Sequence, residues 1–468
     1  MNFKKINQRV NDMFEKGEFD YDFIDIKISK INLEKLHNYQ ILHVYNLISC
    51  LKKNGVVVDG SSTGTGKTFT SLCVCSEAKL EPLIICPKSI VDIWRSTCDY
   101  FNVQPLAIVN YETMRTGQMY DENGKRITCP FLTATKGKGS SINYTWNLAN
   151  KNRNIIIFDE AHRCKNKKSQ NGQLLLSSKN VCKILLLSAT LSDSIENFAL
   201  FGYMLGFYSS IQRGRNWTAS VIREDKNRLI EEGTSTLNKY IFPDKGSRMN
   251  IEDLGDKFPK NNIFSDCYTI SSKSKREINN LYENIRELYK GRDGLELVTI
   301  NKLRQKIEFL KSPILYDQAE KYLDNGKSVA IFVNFTDTLN DLSEQFKKAG
   351  IEHCMIHGKQ DTAEREREIT KFQTNMVKVI LCMMQSGSTG ISLHDTSGHH
   401  SRVSLISPSF SSTDLIQTLG RIFRIGIVQP VIQKLVYCAD TYEQELCKRV
   451  KGKLKFINYL SDEDLIGF

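Results

Sequence analysis

Short apolar runs recur along the chain and form two blocks, with amphipathic stretches of helical spacing between the runs. The first block contains Val56–Val58, Leu83–Cys86, Ala107–Val109, Ile155–Phe158 and Ile184–Leu187, and the second contains Val329–Val333, His353–Ile356, Val377–Cys382, Val403–Ile406 and Lys434–Cys438. Continuous apolar runs of this kind are typical of buried parallel strands joined by crossover helices. The pattern therefore predicts an α/β fold with two separate parallel sheets.

The segments outside these runs complete the predicted organisation. Thr338–Ala349 and Ala363–Gln373 have the spacing of crossover helices, and Ser271–Tyr289 and Thr299–Leu310 also have helical patterns. The polar, Gly- and Ser-containing stretch Asp121–Asn143 predicts a long surface loop. We therefore expect an N-terminal extension over residues 1–30, a first α/β domain over 31–205, a mostly helical insertion and connector over 206–311, and a second α/β domain over 312–468.

The composition is that of an ordinary globular protein with a basic surplus. Hydrophobic residues make up 40% and charged residues 25% of the 468 positions, and Lys and Arg exceed Asp and Glu by 64 to 53. The net charge of +11 favours a polyanionic partner, because neutralised phosphates release their counterions. A basic surface with no specific role is the alternative on charge alone.

Several classes of protein are not indicated. The 13 cysteines include no CxxC pair, so free buried thiols are expected rather than a zinc site or a disulfide framework. The N-terminal stretch has no apolar region typical of a secretory signal, and no apolar run approaches the roughly 20 residues of a membrane helix. We expect a soluble intracellular protein without a membrane partner. The choice between nucleus and cytoplasm, a viral origin and the oligomeric state stay open, and a monomer is compatible with the sequence.

Candidate chemistry begins immediately after the first apolar run. The segment Ser61-Ser62-Thr63-Gly64-Thr65-Gly66-Lys67-Thr68 lies between a predicted strand and a predicted helix. Glycines at such a junction let backbone N–H groups surround phosphates, and the helix N-terminus adds positive potential. Lys67 suits the β- and γ-phosphates of a nucleotide, and the Thr68 hydroxyl suits Mg²⁺. An incidental Gly-rich turn is the alternative, which the Gly-Lys-Thr sequence at this junction disfavours.

An acidic pair follows another buried run. Asp159 and Glu160 come directly after Ile155–Phe158, at the edge of an open parallel sheet where ligands bind. Asp159 is a candidate ligand of Mg²⁺, and Glu160 is a candidate acceptor for the proton of an attacking water. A pair that only caps the next helix is the alternative, and the phosphate loop upstream makes it less favourable.

The ordered motifs resemble those of superfamily 2 helicases. The loop and the sequence Asp159-Glu160-Ala161-His162 fit the superfamily, and the following Arg163-Cys164-Lys165-Asn166 is similar to the Swi/Snf-type family of duplex-DNA translocases. Further similar segments are Leu36–Gln40, Cys86–Lys88 with Trp94, Asn110–Thr113, Phe258–Lys260, Lys302–Gln305, Gly358–Arg365 and Gln417–Gly426. The resemblance extends from about residue 33 to residue 455.

This resemblance implies two RecA-like P-loop domains in tandem that hydrolyse Mg-ATP and bind nucleic acid, with duplex DNA as the leading substrate. It implies adenine contact by Gln40. Arg421 and Arg424 stand three apart on a predicted helix, and such a face can stabilise charge on the transferred phosphoryl group. A solvated surface pair is the alternative for these arginines. The expected catalytic residues are thus Lys67, Glu160, Arg421 and Arg424; the expected nucleotide-binding residues are Gln40, Ser61, Ser62, Thr63, Gly64, Thr65, Gly66, Lys67, Thr68, Asp159 and Gly390; and the expected Mg²⁺ ligands are Thr68 and Asp159.

Two departures from the family pattern leave the mode of action open. Ser188-Ala189-Thr190 is the form found in strand-separating helicases, where the hydroxyls suit a relay toward the nucleic acid. Gln385–Gly390 keeps small residues that suit phosphate contact but differs from the family pattern. The alternatives are therefore a duplex-DNA translocase, a strand-separating DNA or RNA helicase, a non-catalytic nucleic-acid scaffold, and a non-motor NTPase. A non-catalytic scaffold is expected to have a different residue at Lys67, Glu160 or Arg424, and none of the three is replaced.

Overall fold

The computed structural model describes residues 28–137, 142–227, 236–249, 261–290, 296–384, 391–395, 397–408, 412–424, 426–441 and 443. The chain divides at residues 255–256 into two compact units. Each unit contains one six-stranded sheet. This arrangement confirms the predicted fold class of two parallel α/β domains.

The first sheet has the strand order β10-β1-β9-β8-β2-β3, and all of its neighbouring strands are parallel. The strands of this unit are β1 Val56–Asp59, β2 Glu81–Cys86, β3 Ala107–Asn110, β4 Gln118–Tyr120, β5 Arg126–Thr128, β6 Leu132–Lys136, β7 Ile142–Trp146, β8 Asn154–Asp159, β9 Lys183–Leu187 and β10 Gly246–Ser247. Alternate residues of a strand enter the core on opposite faces of this sheet, as Val57 and Val58 do. Apolar residues are therefore needed at every position, which explains the continuous runs.

Helices cover both faces of the first sheet. They are α1 Lys30–Leu33, α2 Asn38–Lys53, α3 Lys67–Glu77, α4 Val91–Phe101, α5 Tyr111–Met114, α6 Gln170–Ser177, α7 Ile195–Met204, α8 Ile211–Asn227 and α9 Thr236–Ile241, with 3₁₀ turns at Lys88–Ile90 and Ala161–Cys164. Side chains of α2, α3 and α4 pack on one face, and those of α6, α7 and α9 pack on the other. The carboxyl ends of the strands are left accessible for the loops that carry the predicted motifs.

The second sheet has the order β11-β16-β15-β12-β14-β13, again with parallel neighbours throughout. Its strands are β11 Asn261–Tyr268, β12 Ser328–Val333, β13 His353–Ile356, β14 Val379–Met383, β15 Arg402–Ile406 and β16 Val431–Cys438, and its helices are α10 Ser272–Lys290, α11 Glu296–Phe309, α12 Ser312–Asp324, α13 Thr336–Lys348, α14 Thr362–Gln373 and α15 Ser412–Leu419. All ten predicted strands are present in the two units. The four predicted helices are also confirmed, with ends within three residues of the predicted bounds.

Residues 206–311 contribute to both sheets as well as forming helices. Within this segment, β10 pairs with β1 in the first sheet, and β11 pairs with β16 in the second. Neither strand is predicted from the sequence, because β10 has two residues and β11 is an edge strand of mixed polarity. The helices α10 and α11 pack together through Ile278, Ile285 and Ile300. The domain limits derived from the sequence stay predictions.

The predicted surface loop at Asp121–Asn143 was wrong. Strands β4 and β5 form one antiparallel hairpin, and β6 and β7 form a second. Their residues are largely exposed, so the apolar alternation that normally marks a strand is absent.

Over the described ranges, no helix is both long and apolar enough to span a membrane.

Candidate active site

The predicted motifs of the first unit lie side by side along one edge of its sheet. Because β1, β9, β8, β2 and β3 are consecutive and parallel, their carboxyl ends meet at the same edge. The glycine-rich loop follows β1, Ser188 follows β9, and Asp159 ends β8. This edge is the usual place for ligands in an open parallel sheet. The fold thus brings together residues that are more than 100 positions apart in the sequence.

The glycine-rich loop connects β1 to the first turn of α3. Gly64 and Gly66 have φ values of 83° and 90°, which lie in the left-handed region that favours glycine. The Nζ atom of Lys67 donates to the carbonyl oxygens of Ser61 at 2.8 Å and Ser62 at 3.0 Å. The lysine is therefore held within the loop, in a position to respond to an anion there.

The remaining loop residues differ in their exposure. Ser61, Ser62 and Thr65 are buried, and Thr63, Gly64 and Thr68 are half-buried. The Thr65 hydroxyl donates to the carbonyl oxygen of Ser62 at 2.8 Å, which closes the turn from inside. The half-buried positions are those that a ligand could reach.

Gln40 contacts this loop directly. Its Nε2 donates to the carbonyl oxygen of Thr65 at 3.0 Å, and its Oε1 accepts from the backbone N–H of His37 at 2.9 Å. A Cβ atom at Gly66 would lie 2.4 Å from the Gln40 amide nitrogen, so a larger residue there would displace this side chain in addition to straining a backbone with a φ of 90°. Gln40 therefore fixes the loop in addition to the adenine contact that the family resemblance implies.

Asp159 is a buried carboxylate that accepts two hydrogen bonds. Trp94 donates from Nε1 to Oδ2 at 2.7 Å, and the backbone N–H of Glu160 donates to Oδ1 at 2.9 Å. Burial and the neighbouring Glu160 charge raise the pKa of Asp159 to about 7, against the opposing effects of Trp94 and Lys67. A cation at this carboxylate would favour its ionised form.

Glu160 begins a chain of polar contacts that reaches the next motif. Its backbone is left-handed, with a φ of 54°, a conformation that is unusual for a side chain of this size and recurs at functional sites. His162 Nδ1 lies 3.3 Å from Oε2 of Glu160 and 3.2 Å from Oγ of Ser188. The Ser188 hydroxyl donates to the carbonyl oxygen of Thr190 at 2.8 Å. His162 thus links the acidic pair to the Ser188–Thr190 turn.

Two ion pairs tie the residues after the acidic pair to other segments of the same edge. Lys165 Nζ lies 2.9 Å from Oδ2 of Asp193, just beyond the Ser188–Thr190 turn. Arg163 Nη1 lies 3.5 Å from Oε1 of Glu112. The 161–165 turn is therefore bonded to the segments that follow β9 and β3.

Sequence reasoning missed three residues that contribute to this site. His43 and Asp59 form a buried contact beneath the loop, with 3.0 Å between His43 Nε2 and Asp59 Oδ2. Trp94 belongs to a segment of the resemblance, but its bond to Asp159 is not predictable from that. A signal for Asp59 was available, since an acid ends the otherwise apolar run at the start of the loop.

The predicted arginine pair requires a correction. The helix α15 ends at Leu419, so Arg421 and Arg424 follow it in a turn and do not share a helical face. Gly420 follows the helix directly, a residue type common just past helix ends.

Both side chains contact the segment 391–393. Arg421 is 2% exposed and donates from Nη1 to the carbonyl oxygen of Ile391 at 3.1 Å. Arg424 donates from Nε to the carbonyl oxygen of Gly420 at 3.1 Å and from Nη1 to the Ser392 hydroxyl. The structure therefore brings the two arginines together through a shared partner segment. Gly390, predicted to contact the nucleotide, and the whole Gln385–Gly390 motif lie outside the described residues.

Trp146 and Trp217 pack against the core of the first unit, and Trp217 stacks on Phe207 with ring centroids 5.2 Å apart. Lys167 and Lys168 follow the acidic pair and are exposed, so they are compatible both with a groove for nucleic acid and with a solvated basic loop.

Comparisons with known proteins show which proteins this chain is similar to. The family described as "Helicase conserved C-terminal domain" matches residues 306–426, and "Type III restriction enzyme, res subunit" matches residues 33–193. A Putative ATP-dependent RNA helicase L364 of Acanthamoeba polyphaga mimivirus is 35% identical, over 95% of this chain and 87% of its own length. A human SWI/SNF-related regulator of chromatin is 22% identical over 90% of this chain and 43% of its own length, so this chain spans less than half of that relative.

Among solved structures, the Sulfolobus solfataricus SWI2/SNF2 ATPase core in complex with dsDNA covers 92% of both chains, with 19% identity and a TM-score of 0.35. Two parallel α/β units, a phosphate loop and an Asp-Glu-Ala-His sequence define the class of helicase-type ATP hydrolases. Within that class, the chain belongs to the superfamily 2 helicases and ATPases, and it is similar to SWI/SNF-related proteins.

Proposed function

We propose that this enzyme is a motor that couples ATP hydrolysis to movement along duplex DNA. The proposal rests on two ion pairs of the 161–165 turn. Lys165 pairs with Asp193, and Arg163 pairs with Glu112. These contacts connect the turn after the acidic pair with the segments that follow β9 and β3 at the same edge of the sheet. A change at the acidic pair on hydrolysis can thereby alter the position of loops that hold nucleic acid.

In this proposal, ATP binds at the loop 61–68. Backbone N–H groups and Lys67 hold the phosphates, and Glu160 accepts a proton from the attacking water. The assignment of Glu160 is supported by its partial exposure and its contact with His162. Gln40 contacts the adenine while it holds the loop.

The oxygen donors at the site fit Mg²⁺. Asp159 offers a buried carboxylate whose pKa is raised by burial and by the Glu160 charge, and Thr68 offers a hydroxyl at the start of α3. Magnesium prefers such hard oxygen ligands in combination with nucleotide phosphates. When bound, it would neutralise charge that develops on the phosphates.

The second unit is assigned a supporting role. We assign to Arg421 and Arg424 the stabilisation of phosphoryl charge, and to Gly390 a nucleotide contact, because the family resemblance implies these roles. The common partner segment of the two arginines, 391–393, directly follows Gly390 in the sequence. A shift in one part of this group would therefore be passed to the others.

Duplex DNA is favoured as the track by the run Asp159–Asn166, which resembles duplex translocases, and by the net charge of +11. Contacts to the phosphate backbone need no base recognition, so binding without sequence preference is expected. Lys167 and Lys168 are exposed beside this run and can serve such contacts.

Strand separation is the second candidate, and a specific contact favours it. Ser188 belongs to the Ser-Ala-Thr form found in unwinding helicases, and His162 connects it to Glu160. The mimivirus relative carries the name of an RNA helicase. Both observations fit an enzyme in which hydrolysis is relayed through hydroxyl groups to a single strand.

The deciding experiment compares triplex displacement with duplex unwinding on one preparation. We expect displacement of a triplex-forming strand from duplex DNA, together with strong stimulation of ATPase by that duplex. Tailed DNA and RNA duplexes should remain paired, because a motor that tracks phosphates need not open base pairs. The Glu160→Gln variant serves as the inactive control. Efficient unwinding of tailed duplexes without triplex displacement would contradict the proposal and support the second candidate.

A further inference from the structure

A buried carboxylate lies directly beneath the proposed nucleotide loop. Asp59 ends β1, is 0% exposed, and is separated from the loop by Gly60. Its Oδ1 accepts from the backbone N–H of Ser61 at 3.0 Å, and its Oδ2 accepts from the Thr70 hydroxyl at 3.2 Å. An anion at this place is unexpected, because an unpaired buried carboxylate would repel the phosphates of a nucleotide.

His43 provides the matching partner from a different element. Its Nε2 lies 3.0 Å from Oδ2 of Asp59, and both side chains are fully buried. His43 is one helical turn after Gln40 on α2, and Gln40 donates to the carbonyl oxygen of Thr65. The helix α2 therefore holds the loop at two points, just before its start through Asp59 and at its middle through Thr65.

The pair also determines the charge beneath the loop. Burial opposes the ionisation of Asp59, but His43 and then Lys67 favour it, and together they hold the pKa of Asp59 below its usual range. Asp59 is therefore an anion that depends on a donor from α2. Removal of that donor would leave a buried charge with weaker compensation, which is more costly than removal of the whole pair.

We infer that His43 and Asp59 are a positioning pair that keeps the nucleotide loop in the shape and charge state that accept a triphosphate. Neither side chain contacts the nucleotide; they act through Ser61 and Thr70. This inference rests on the proposed function, in which the loop binds ATP. The pair should affect nucleotide affinity more than turnover, because Glu160 lies on a different strand.

The test is a set of variants with opposite expected effects on nucleotide affinity: one substitution weakens binding, and a second substitution in the same chain partly restores it. His43→Leu removes the donor and leaves the Asp59 carboxylate, so the Kd for ATP and ADP should rise about tenfold or more. Asp59→Asn in the same chain removes the stranded charge but keeps an acceptor for Ser61. The double variant should therefore bind nucleotide more tightly than His43→Leu alone. Isothermal titration of the full chain measures these values.

A pair that acts only by packing predicts a different order of nucleotide affinities among these variants. If the pair only fills space, the double variant binds no better than His43→Leu, and that result would overturn the inference. His43→Gln retains a side-chain N–H donor, so its Kd should stay within about threefold of the wild-type value. A tenfold loss in His43→Gln would also count against the inference, and this variant is usable if His43→Leu does not fold.

A matched buried pair in the second unit provides the control. Lys311 and Glu443 lie 2.7 Å apart and are each 2% exposed. Glu443→Gln should lower the Tm and leave the nucleotide Kd unchanged. If the wild-type chain binds ATP but all His43 and Asp59 variants match it, the inference is wrong. If the wild-type chain binds no nucleotide, the proposed function itself fails.

Discussion

Asp159 and Glu160 are neighbours in the sequence, yet their surroundings differ strongly. Asp159 is buried and accepts a hydrogen bond from Trp94. Glu160 is partly exposed, has a left-handed backbone, and lies beside His162. Adjacent carboxylates in different environments commonly take different roles, one with a metal and one with a proton. The proposed division of work between the two acids follows from this difference.

Glu160→Gln should abolish turnover and preserve nucleotide binding, because a carboxamide cannot accept the proton of the attacking water. We expect kcat to fall at least about a hundredfold, the lower range for loss of a general base. Steady-state ATPase and nucleotide titration on the same preparation measure the two effects.

Lys67→Ala is the contrasting variant, since loss of its charge should weaken ATP binding as well as turnover. If Glu160→Gln lost affinity to the same extent as Lys67→Ala, Glu160 would be a structural residue of the strand end.

The phosphate loop and the acidic pair could be predicted because their residue types and their positions after apolar runs are local features. His43, Asp59 and Trp94 could not, since their contacts depend on how α2 and α4 pack against strand ends. His43 lies 16 residues from Asp59, and Trp94 lies 65 residues from Asp159. No periodic pattern records such pairings.

At the level of whole elements, burial decided which strands could be predicted. Central strands such as β8 and β12 are buried at every position, and their apolar runs are unmistakable. The edge strand β11 and the exposed β5 have polar residues on one or both faces, so no apolar run marks them. The pattern of the sequence therefore predicts the interior of each sheet better than its margins.

The turn that follows α15 is the element on which the arginine hypothesis now depends. Because Arg424 is bonded to Gly420 and Ser392, its position is fixed by this turn and not by a helix face. Arg424→Ala should reduce nucleic-acid-stimulated ATPase by about a thousandfold, the lower range for loss of such an arginine, with little change in nucleotide Kd.

The matched control is Arg367→Ala, which removes an exposed arginine of α14. Stimulated turnover of that variant should equal the wild-type rate, and the Tm of both variants reports on any loosening of the fold. If Arg424→Ala kept full stimulated turnover, Arg424 would have only a structural role in the turn that follows α15.

At the scale of the whole molecule, the basic surplus predicts a strong dependence on salt. Each phosphate neutralised by the protein contributes a slope of about −0.9 to the plot of log affinity against log salt for duplex DNA. The duplex concentration that half-saturates ATPase should therefore rise steeply between about 50 and 200 mM salt.

Sequence composition of the duplex should have little effect on that concentration. ATPase without nucleic acid, measured over the same salt range, serves as the control because it involves no phosphate backbone. A weak salt dependence combined with a strong preference for particular base sequences would argue against backbone tracking.

The pairing of β10 with β1 has a consequence for how the protein is made. Gly60 and Ser62 donate backbone bonds to Ser247 and Met249, and the Met249 N–H donates to the Ser61 hydroxyl across 188 positions. During synthesis, the start of the loop emerges long before the strand that supports it. The loop therefore gains this support only when the chain reaches residues 246–249, shortly before the second unit begins at residue 256. A fragment cut after residue 193 would contain the loop and the acidic pair but lack this support.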